Sequence, residues 1–414
     1  MVHALAVFIH EQRVGTLVQT DGRVALRVDP AWRARPDRFV LSASYEQDGN
    51  TDPRPCLGLP PFFANLLFEG RLREWVERSE GLGGSPLELL ARLGRDLPGA
   101  VQLHPVDADF EPVADGADLG GGPSGTPKTG GLRWSLAGVQ LKLSLAPAGE
   151  RFTVPVHGKR GCYIGKFADR VYAGVPEIEH ATMSWARACG LRVADTELRS
   201  VSDIDELPFE MTDPGEAVLL VRRFDRTVDG AGAVHAEEFA QALNILPADK
   251  YRQFGWKHHL RLVEAVCPSD VGEYLRRLIF VILSGNGDAH HKNWGLLYPD
   301  GRRAALAPAY DQVATVVWSG ADPSLLDTMP YKVQGTARYE ALHLAGLCGL
   351  LDALRSPTFR DGPDEVARAN AREWVRRVID QQLSHRSVAE ERGGAPIRQA
   401  LDRHHARLPL LRGR

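Results

Sequence analysis

The sequence has few cysteines and no pattern that would pair them. Five cysteines occur among 414 residues, scattered and without a Cys-x-x-Cys pair: Cys56, Cys162, Cys189, Cys267 and Cys348. Their odd number and spacing argue against a disulfide framework and against a structural zinc site. We interpret each as a small buried apolar side chain, and a reducing cytoplasm is the expected location.

Long apolar runs and a strong excess of one charge are also missing. No run approaches the ~18 apolar residues of a membrane span. The start, Met1–Leu5, lacks the basic and apolar regions of a signal peptide. We therefore expect neither export nor a membrane partner. The net charge of -3 at pH 7 does not demand nucleic acid or an anionic surface as partner.

What is present is the composition of an ordinary globular chain, 43% hydrophobic and 25% charged, and long enough for two or three domains. Early strands are predicted at Leu5–Ile9 and Val24–Val28, with a turn at Asp21-Gly22 and a helix beginning at Pro60-Pro61.

An acidic and then glycine-rich stretch indicates a flexible linker. The basic end, Arg398–Arg414, is interpreted as a solvated tail. The four predicted segments are an N-terminal subdomain (1–105), a linker (106–131), a lobe of mixed strands and helices (132–225) and a helical lobe (226–414).

The most informative stretch is Gly287-Asp288-Ala289-His290-His291-Lys292-Asn293, which Tyr310-Asp311 follows. Protein kinases place the catalytic base, a metal-binding asparagine five positions later and a second aspartate in this way. We take Asp288 as the candidate base. Asn293 and Asp311 are candidate Mg²⁺ ligands, because hard oxygen donors suit that ion. The two adjacent histidines make a poor chelating pair, so a transition-metal site is not expected.

A phosphotransfer site also needs cations on the phosphates. Lys166 lies in a strand-like run, Tyr163–Phe167, and can reach the phosphates if a nucleotide binds nearby. Glu179 can hold that lysine by an ion pair, as kinases do, with Glu177 as the competing partner. The sequence leaves the choice between these two carboxylates open.

Two further stretches are candidates for nucleotide contacts. Ser135–Lys142 is a small-residue turn before a strand, and its backbone amides together with Lys142 can cover phosphates. Arg222–Arg226 follows a predicted buried strand, Val218–Val221. In a two-lobed kinase this would be the hinge that binds adenine. The alternative is a strand end with salt-bridged arginines.

Together these segments resemble the HipA family, the serine/threonine kinase toxins of bacterial toxin–antitoxin pairs. The resemblance covers nearly the whole chain and rests on four motifs in the family's order. The chain departs from the family at Leu141, where many members carry Glu, and at His291, where Ala is common. The four motifs are Leu57–Gly70, the phosphate loop Ser135–Lys142, the hinge Arg223–Arg226 and the catalytic loop Gly287–Asn293.

The resemblance implies an α+β fold, in which a compact N-terminal α/β subdomain sits on a bilobal, protein-kinase-like body with an all-helical C-lobe. It implies ATP and Mg²⁺ as cofactors, with Asp288 catalytic and Asn293 and Asp311 on the metal. It also implies that Ser135 is autophosphorylated, which would add about two negative charges beside ATP and switch the kinase off. The nucleotide-binding residues implied are Lys166, Ser135, Gly138, Gln140, Lys142, Glu179, Arg222, Phe224, His290 and Lys292.

The same resemblance implies two partners. One is a protein substrate, an aminoacyl-tRNA synthetase, whose phosphorylation would lower charged tRNA and arrest growth. The other is a HipB-like helix-turn-helix antitoxin, which would connect the chain indirectly to operator DNA.

Two other functions compete with this interpretation. Small-molecule phosphotransferases of the aminoglycoside-kinase kind carry a similar loop, but the N-terminal unit and the Leu57–Gly70 motif argue against them. A non-catalytic antitoxin-binding corepressor would be expected to lack Lys166, Asp288, Asn293 or Asp311, and all four are present.

Overall fold

The computed structural model describes residues 3–47, 56–67, 73, 77, 85–94, 96–106, 141–155, 161–168, 172–207, 216–227, 232–319, 328–351 and 364–412. The chain divides into two compact units, each assembled from separated segments. Residues 107–131 of the expected linker lie outside the described residues, and the four expected segments remain predictions. Unit 1 contains Met1–Asp169, Arg199–Ala248 and Leu296–Arg303, and unit 2 contains Arg170–Leu198, Asp249–Gly295 and Ala304–Arg414.

The strands are short and most lie in the first 240 residues or so. They are β1 (Ala4–Ile9), β2 (Gln12–Thr20), β3 (Arg23–Val28), β4 (Cys56–Leu57), β5 (Val101–Pro105), β6 (Lys142–Ala148), β7 (Arg151–Thr153), β8 (Tyr163–Phe167), β9 (Thr196–Ser200), β10 (Ile204–Asp205), β11 (Ala217–Arg222), β12 (His235–Glu238), β13 (Gly295–Tyr298), β14 (Ala305–Leu306), β15 (Thr328–Val333) and β16 (Thr336–Arg338).

The longer helices belong to unit 2. The helices are α1 (Pro30–Ala34), α2 (Ala43–Gln47), α3 (Pro61–Ala64), α4 (Pro86–Leu93), α5 (Val175–Ala188), α6 (Phe239–Ala242), α7 (Trp256–Val266), α8 (Val271–Ser284), α9 (Leu344–Leu351), α10 (Asp364–Ser384) and α11 (Ser387–Arg407). None of these described helices is long and apolar enough to cross a lipid bilayer.

The N-terminal part of unit 1 is an antiparallel sheet of order β4-β3-β2-β1-β5. Asp21 and Gly22 join β2 to β3 with positive φ angles of 51° and 73°, which a tight turn requires. Apolar side chains of this sheet pack with Phe62 and Phe63 of α3. The predicted strands, the turn and the helix beginning at Pro61 are confirmed.

A second sheet of unit 1 has the order β10-β7-β6-β8-β11 and carries Lys166 in β8. β8 pairs antiparallel with β6 on one side and β11 on the other, so Lys166 lies opposite Lys142 and Leu219. Leu143 and Leu220 contribute to the same core cluster as the N-terminal sheet. The two sheets of unit 1 therefore share one hydrophobic core.

Strand β12 brings a carboxyl group into the interior of unit 1. Glu237 accepts hydrogen bonds from the Ser42 hydroxyl at 2.5 Å, the Ala43 backbone N–H at 2.8 Å and the Tyr298 hydroxyl at 2.5 Å. Burial raises the pKa of Glu237 to about 7, although these hydrogen bonds oppose the shift. The side chain thus ties the start of α2 to the end of β13.

Unit 2 is built around helix α8, whose apolar residues bury almost its whole surface. Trp185 of α5 meets Phe280 of α8 edge-on, with ring centroids 4.8 Å apart. The same indole donates a hydrogen bond to the Gln382 carbonyl oxygen of α10 at 2.8 Å. Helices α5 and α10 thus hold α8 in place as it delivers the chain to the Asp288 loop.

Helix α11 completes the support of α8. His404 Nε2 donates to the Ile282 carbonyl oxygen at 2.7 Å, and His405 Nε2 donates to the Leu283 carbonyl oxygen at 2.8 Å. The expectation of a solvated tail from Arg398 is therefore wrong for residues 398–412. Apolar residues recur there at helical steps, so the arginines lie on the outer face while Leu401 and Leu408 are buried.

The expectation of an all-helical C-lobe is also wrong. Strands β12 to β16 all lie after residue 226. Short alternating runs such as Thr328–Val333 favour strands, and the long helical patterns around them obscured that signal. The mixed α+β class itself is confirmed.

Candidate active site

The loop after α8 is shaped by a glycine and two polar side chains. Gly285 ends the helix in the left-handed conformation, with φ 65°, and a Cβ there would lie 2.5 Å from a side-chain carbon of Val316. Asn286 is buried and its Oδ1 accepts from the Asp288 N–H at 3.0 Å. The Thr315 hydroxyl accepts from the Gly287 N–H at 2.8 Å and donates to the Gly285 carbonyl oxygen.

Hydrogen bonds connect Asn293, the candidate metal ligand, to the backbone of Asp288, the candidate base. The Asn293 Nδ2 donates to the Asp288 carbonyl oxygen at 2.7 Å, and the His290 N–H donates to the same oxygen at 2.7 Å. Because Nδ2 is engaged in the loop, Oδ1 is the Asn293 atom suited to bind a cation. The Asp288 side chain is half-buried.

Asp311 is linked to the same loop through its backbone. Its carbonyl oxygen accepts from Asn286 Nδ2 at 3.4 Å, and the neighbouring Tyr310 hydroxyl donates to the Lys292 carbonyl oxygen at 3.0 Å. Asp311 has a φ of 52°, a conformation that is rare for a residue with a side chain and often found at functional sites. The structure thus brings Asp288, Asn293 and Asp311 into one hydrogen-bonded region of unit 2.

This donor set fits Mg²⁺ better than a transition metal. Asn293 and Asp311 offer carboxamide and carboxylate oxygens, and Mg²⁺ is commonly held by one or two carboxylates with water and phosphate completing its shell. Within the described part of the chain, no group of three or more His, Cys, Asp or Glu residues is arranged to hold a metal.

In unit 1, two lysines mark the candidate phosphate-binding strands. Lys166 is only 2% exposed, and Lys142 is half-buried directly opposite it. Cross-strand partners project from the same face of a sheet, so the two amino groups can act on one anion such as a phosphate. Glu179 is buried in α5 of unit 2, and its pairing with Lys166 stays a prediction.

The expected hinge contains a buried ionic cluster. Arg223 contacts both Asp225 carboxylate oxygens at 2.9 and 2.8 Å and Asp96 at 3.2 Å, while Arg226 contacts Asp96 at 2.7 Å and Asp225 at 3.0 Å. Burial alone would raise the pKa of Asp225, but the two guanidinium charges outweigh it and hold that pKa below its usual range. Salt-bridged arginines therefore do end this strand.

Several predicted site residues stay predictions. Arg222 and Phe224, which flank the cluster, are half-buried, and nothing in the structure assigns adenine to them. His290 and Lys292 are buried within the loop. Ser135, Gly138 and Gln140 lie outside the described residues.

The residues that sequence reasoning missed lie under and beside the loop. His259 Nε2 is 2.5 Å from His291 Nδ1, and His291 stacks on Tyr331 with ring centroids 4.4 Å apart. Burial lowers the pKa of His291 to about 4, so this pair is neutral near pH 7. Tyr251 donates a hydrogen bond to the Asp288 carboxylate. No spacing rule links His259, Tyr251 or Tyr331 to the loop, so only the fold reveals them.

Several known proteins resemble this chain in sequence or in fold. The family description "HipA-like C-terminal domain" matches residues 134–385, and "HipA N-terminal domain" matches residues 5–104. "Putative kinase Y4dM" of Sinorhizobium fredii is 37% identical over 372 residues, covering 87% of this chain and 89% of its own length. "Serine/threonine-protein kinase toxin HipA" of Shewanella oneidensis is 27% identical and covers 69% of each chain.

The fold is shared with a solved structure as well. A chain in the Shewanella oneidensis MR-1 complex of HipA, HipB and operator DNA matches with a TM-score of 0.67 at 20% identity. The match covers 97% of this chain and 96% of that chain.

Proposed function

Because this chain belongs to the HipA family, we propose that it is an ATP- and Mg²⁺-dependent serine/threonine protein kinase and the toxin of a toxin–antitoxin pair. Relatives named as kinases support phosphotransfer at the level of the family. The observation that carries the proposal is the loop in which Asn293 binds the backbone of Asp288 and Asn286 connects it to Asp311. Phosphoryl transfer depends on such positioning more than on covalent help from the protein.

In this proposal the Asp288 carboxylate accepts a hydrogen bond from a serine or threonine hydroxyl. It takes up that proton as the hydroxyl oxygen forms a bond to the γ-phosphorus of ATP, and the bond to the bridging oxygen breaks to release ADP. Asn293 and Asp311 would hold Mg²⁺, which lowers the negative charge on the phosphates when bound. Lys142 and Lys166 would add cationic charge to the same phosphates.

The remaining nucleotide contacts are proposed from the family resemblance. Arg222 and Phe224 would border the adenine, and Glu179 would hold Lys166 in place. The other residues proposed to line the nucleotide are Ser135, Gly138, Gln140, His290 and Lys292.

The partners are proposed from the relatives. The matching solved complex joins a HipA chain to HipB and operator DNA, so we propose a HipB-like antitoxin for this chain, with DNA bound through it. An aminoacyl-tRNA synthetase is the proposed protein substrate. Ser135 is the proposed autophosphorylation site, where a doubly charged phosphate would disfavour ATP binding nearby.

The intact mass of the protein before and after incubation with ATP and Mg²⁺ tests this function. The full chain is first treated with a phosphatase, which is then removed. Wild type should gain phosphate that maps to Ser135, and Asp288→Ala should react about 10²-fold more slowly or not at all, because the acceptor loses its base. Asp300→Ala, the same change at an exposed turn, should behave as wild type.

Each result has a distinct meaning. Wild type that gains no phosphate after phosphatase treatment contradicts the kinase function. A gain that maps only to other residues supports the kinase and overturns the role of Ser135. Equal rates in wild type and Asp288→Ala overturn the role of Asp288.

A further inference from the structure

A tyrosine side chain already engages the candidate catalytic base. The Tyr251 hydroxyl donates to Oδ1 of Asp288, and its ring meets His290 edge-on at 5.0 Å between centroids. Tyr251 is 45% exposed, so burial in a core does not explain why it lies there. A phenol that donates to this carboxylate makes the same hydrogen bond that a substrate hydroxyl must make.

The backbone on both sides of Tyr251 is fastened to the loop that carries Asp288. The Tyr331 hydroxyl donates to the Lys250 carbonyl oxygen at 2.5 Å and accepts from the His291 N–H at 2.6 Å. His291 Nε2 donates to the Arg252 carbonyl oxygen at 3.2 Å. Both neighbours of Tyr251 are thus held by His291 and Tyr331.

The buried histidine pair makes this attachment stiff. Because His291 uses its Nε2–H on the Arg252 carbonyl oxygen, its Nδ1 is the acceptor for the His259 Nε2–H. His259 is itself fixed in helix α7. A chain of hydrogen bonds therefore runs from a core helix to the segment that presents Tyr251.

We propose that Tyr251 is a positioning residue on the acceptor side of the site, and that it selects which hydroxyl can reach Asp288. This assignment rests on the proposed kinase function. The phenol holds the Asp288 carboxylate while no protein substrate is bound, and a substrate hydroxyl has to replace it before transfer. While the phenol donates to the carboxylate, water competes with it for the same acceptor, so hydrolysis of ATP is slowed.

The test compares two variants that lose one hydroxyl each. Tyr251→Phe keeps the ring against His290 and removes the hydroxyl that donates to Asp288. Tyr172→Phe makes the same change in a half-buried tyrosine of unit 2 whose ring meets Trp318 at 5.7 Å. Release of inorganic phosphate, which reports hydrolysis of ATP and not autophosphorylation, is measured with ATP and Mg²⁺ on phosphatase-treated full chain without any added protein, and circular dichroism confirms that both variants fold.

Tyr251→Phe should hydrolyse ATP about tenfold faster than wild type, which is the effect expected when one hydrogen bond to a charged group no longer competes with water. The KM for ATP should not change, because the phenol acts on the acceptor and not on the nucleotide. Tyr172→Phe should match wild type in both quantities.

Three outcomes would overturn the assignment, and they separate it from the kinase function. An unchanged or slower rate in Tyr251→Phe, with active wild type, rejects the role of Tyr251 and leaves the kinase standing. A changed KM for ATP at constant kcat would place Tyr251 on the nucleotide side instead. No inorganic phosphate from any of the three proteins would reject the assignment alone if the wild type still gains phosphate by intact mass, and would reject the kinase function as well if it gains none.

Discussion

Glu237 makes the stability of unit 1 depend on pH through a single side chain. Its pKa in the folded protein is about 7, above the ordinary value of 4.5, because burial disfavours the charged carboxylate. The folded state therefore binds this proton more tightly than the unfolded chain. Its contribution to stability is complete below about pH 4.5 and is lost as the pH rises through about 7.

Urea unfolding between pH 5 and pH 8 checks this. The contribution of Glu237 to the free energy of unfolding should fall by up to about 3 kcal/mol across that range, since one pKa unit corresponds to about 1.4 kcal/mol. Glu237→Gln should flatten the dependence, because the amide does not ionise. Glu150→Gln, at an exposed turn, should leave the wild-type pH dependence intact, and a flat profile in the wild type would contradict the prediction.

Individual site residues could be predicted from the sequence where they lie close together along the chain. Asp288 and Asn293 lie in one loop and Asp311 follows closely, so their spacing alone predicted the candidate site. Tyr251 gave no such signal. It contacts a residue 37 positions away through the geometry of the folded chain, which no short motif records.

Gly285 ends helix α8 and so affects the shape of the Asp288 loop that follows. Its φ of 65° disfavours any side chain, and an added Cβ would meet Val316 at 2.5 Å. Gly190 has a φ of 73° but nothing within 4 Å of an added Cβ. Both Gly→Ala changes should cost about 1 kcal/mol for the left-handed backbone, and Gly285→Ala should cost roughly 1–3 kcal/mol more because Val316 must move.

Thermal unfolding and phosphate incorporation check this pair. Gly285→Ala should lose both stability and activity, since the shift reaches the Asp288 loop, whereas Gly190→Ala should lose a little stability only. Equal losses of stability in the two variants would show that the contact with Val316 is easily relieved.

Helices and strands were predictable where apolar residues recur at a regular spacing or where a turn sequence or a proline marks a boundary. The strands around Asp21-Gly22 and the helix that begins at Pro61 are examples. The prediction of a solvated C-terminal tail was wrong because it relied on the number of arginines there and not on the spacing of the apolar residues. Spaced apolar residues such as Ile397 and Leu401 were the better guide, since they bury one face of α11.

The whole molecule depends on contacts between segments far apart in sequence. Asp96 lies in the region matched by the HipA N-terminal domain, and Arg223 and Arg226 lie in the region matched by the HipA-like C-terminal domain. All three are buried in unit 1, so this ionic cluster joins the two family regions. The composition predicts a linker between those regions. It does not predict the ionic cluster that joins them, because that cluster depends on contacts between distant segments.

Asp96→Ala should lower the free energy of unfolding by about 3–5 kcal/mol, because two buried guanidinium groups would then share one carboxylate. Asp37→Ala removes the partner of Arg35 in an exposed pair and should leave the urea midpoint unchanged. A midpoint for Asp96→Ala equal to that of wild type would show that solvent or another group satisfies the arginines.

The contact of His404 and His405 with the end of α8 also affects how the protein is synthesised. His404 is 122 residues beyond the carbonyl group of Ile282 that it binds. During translation the helix before the Asp288 loop emerges from the ribosome long before its support does. These two hydrogen bonds cannot form on a nascent chain until residue 405 has left the exit tunnel, so the end of α8 lacks this support until synthesis has passed that point.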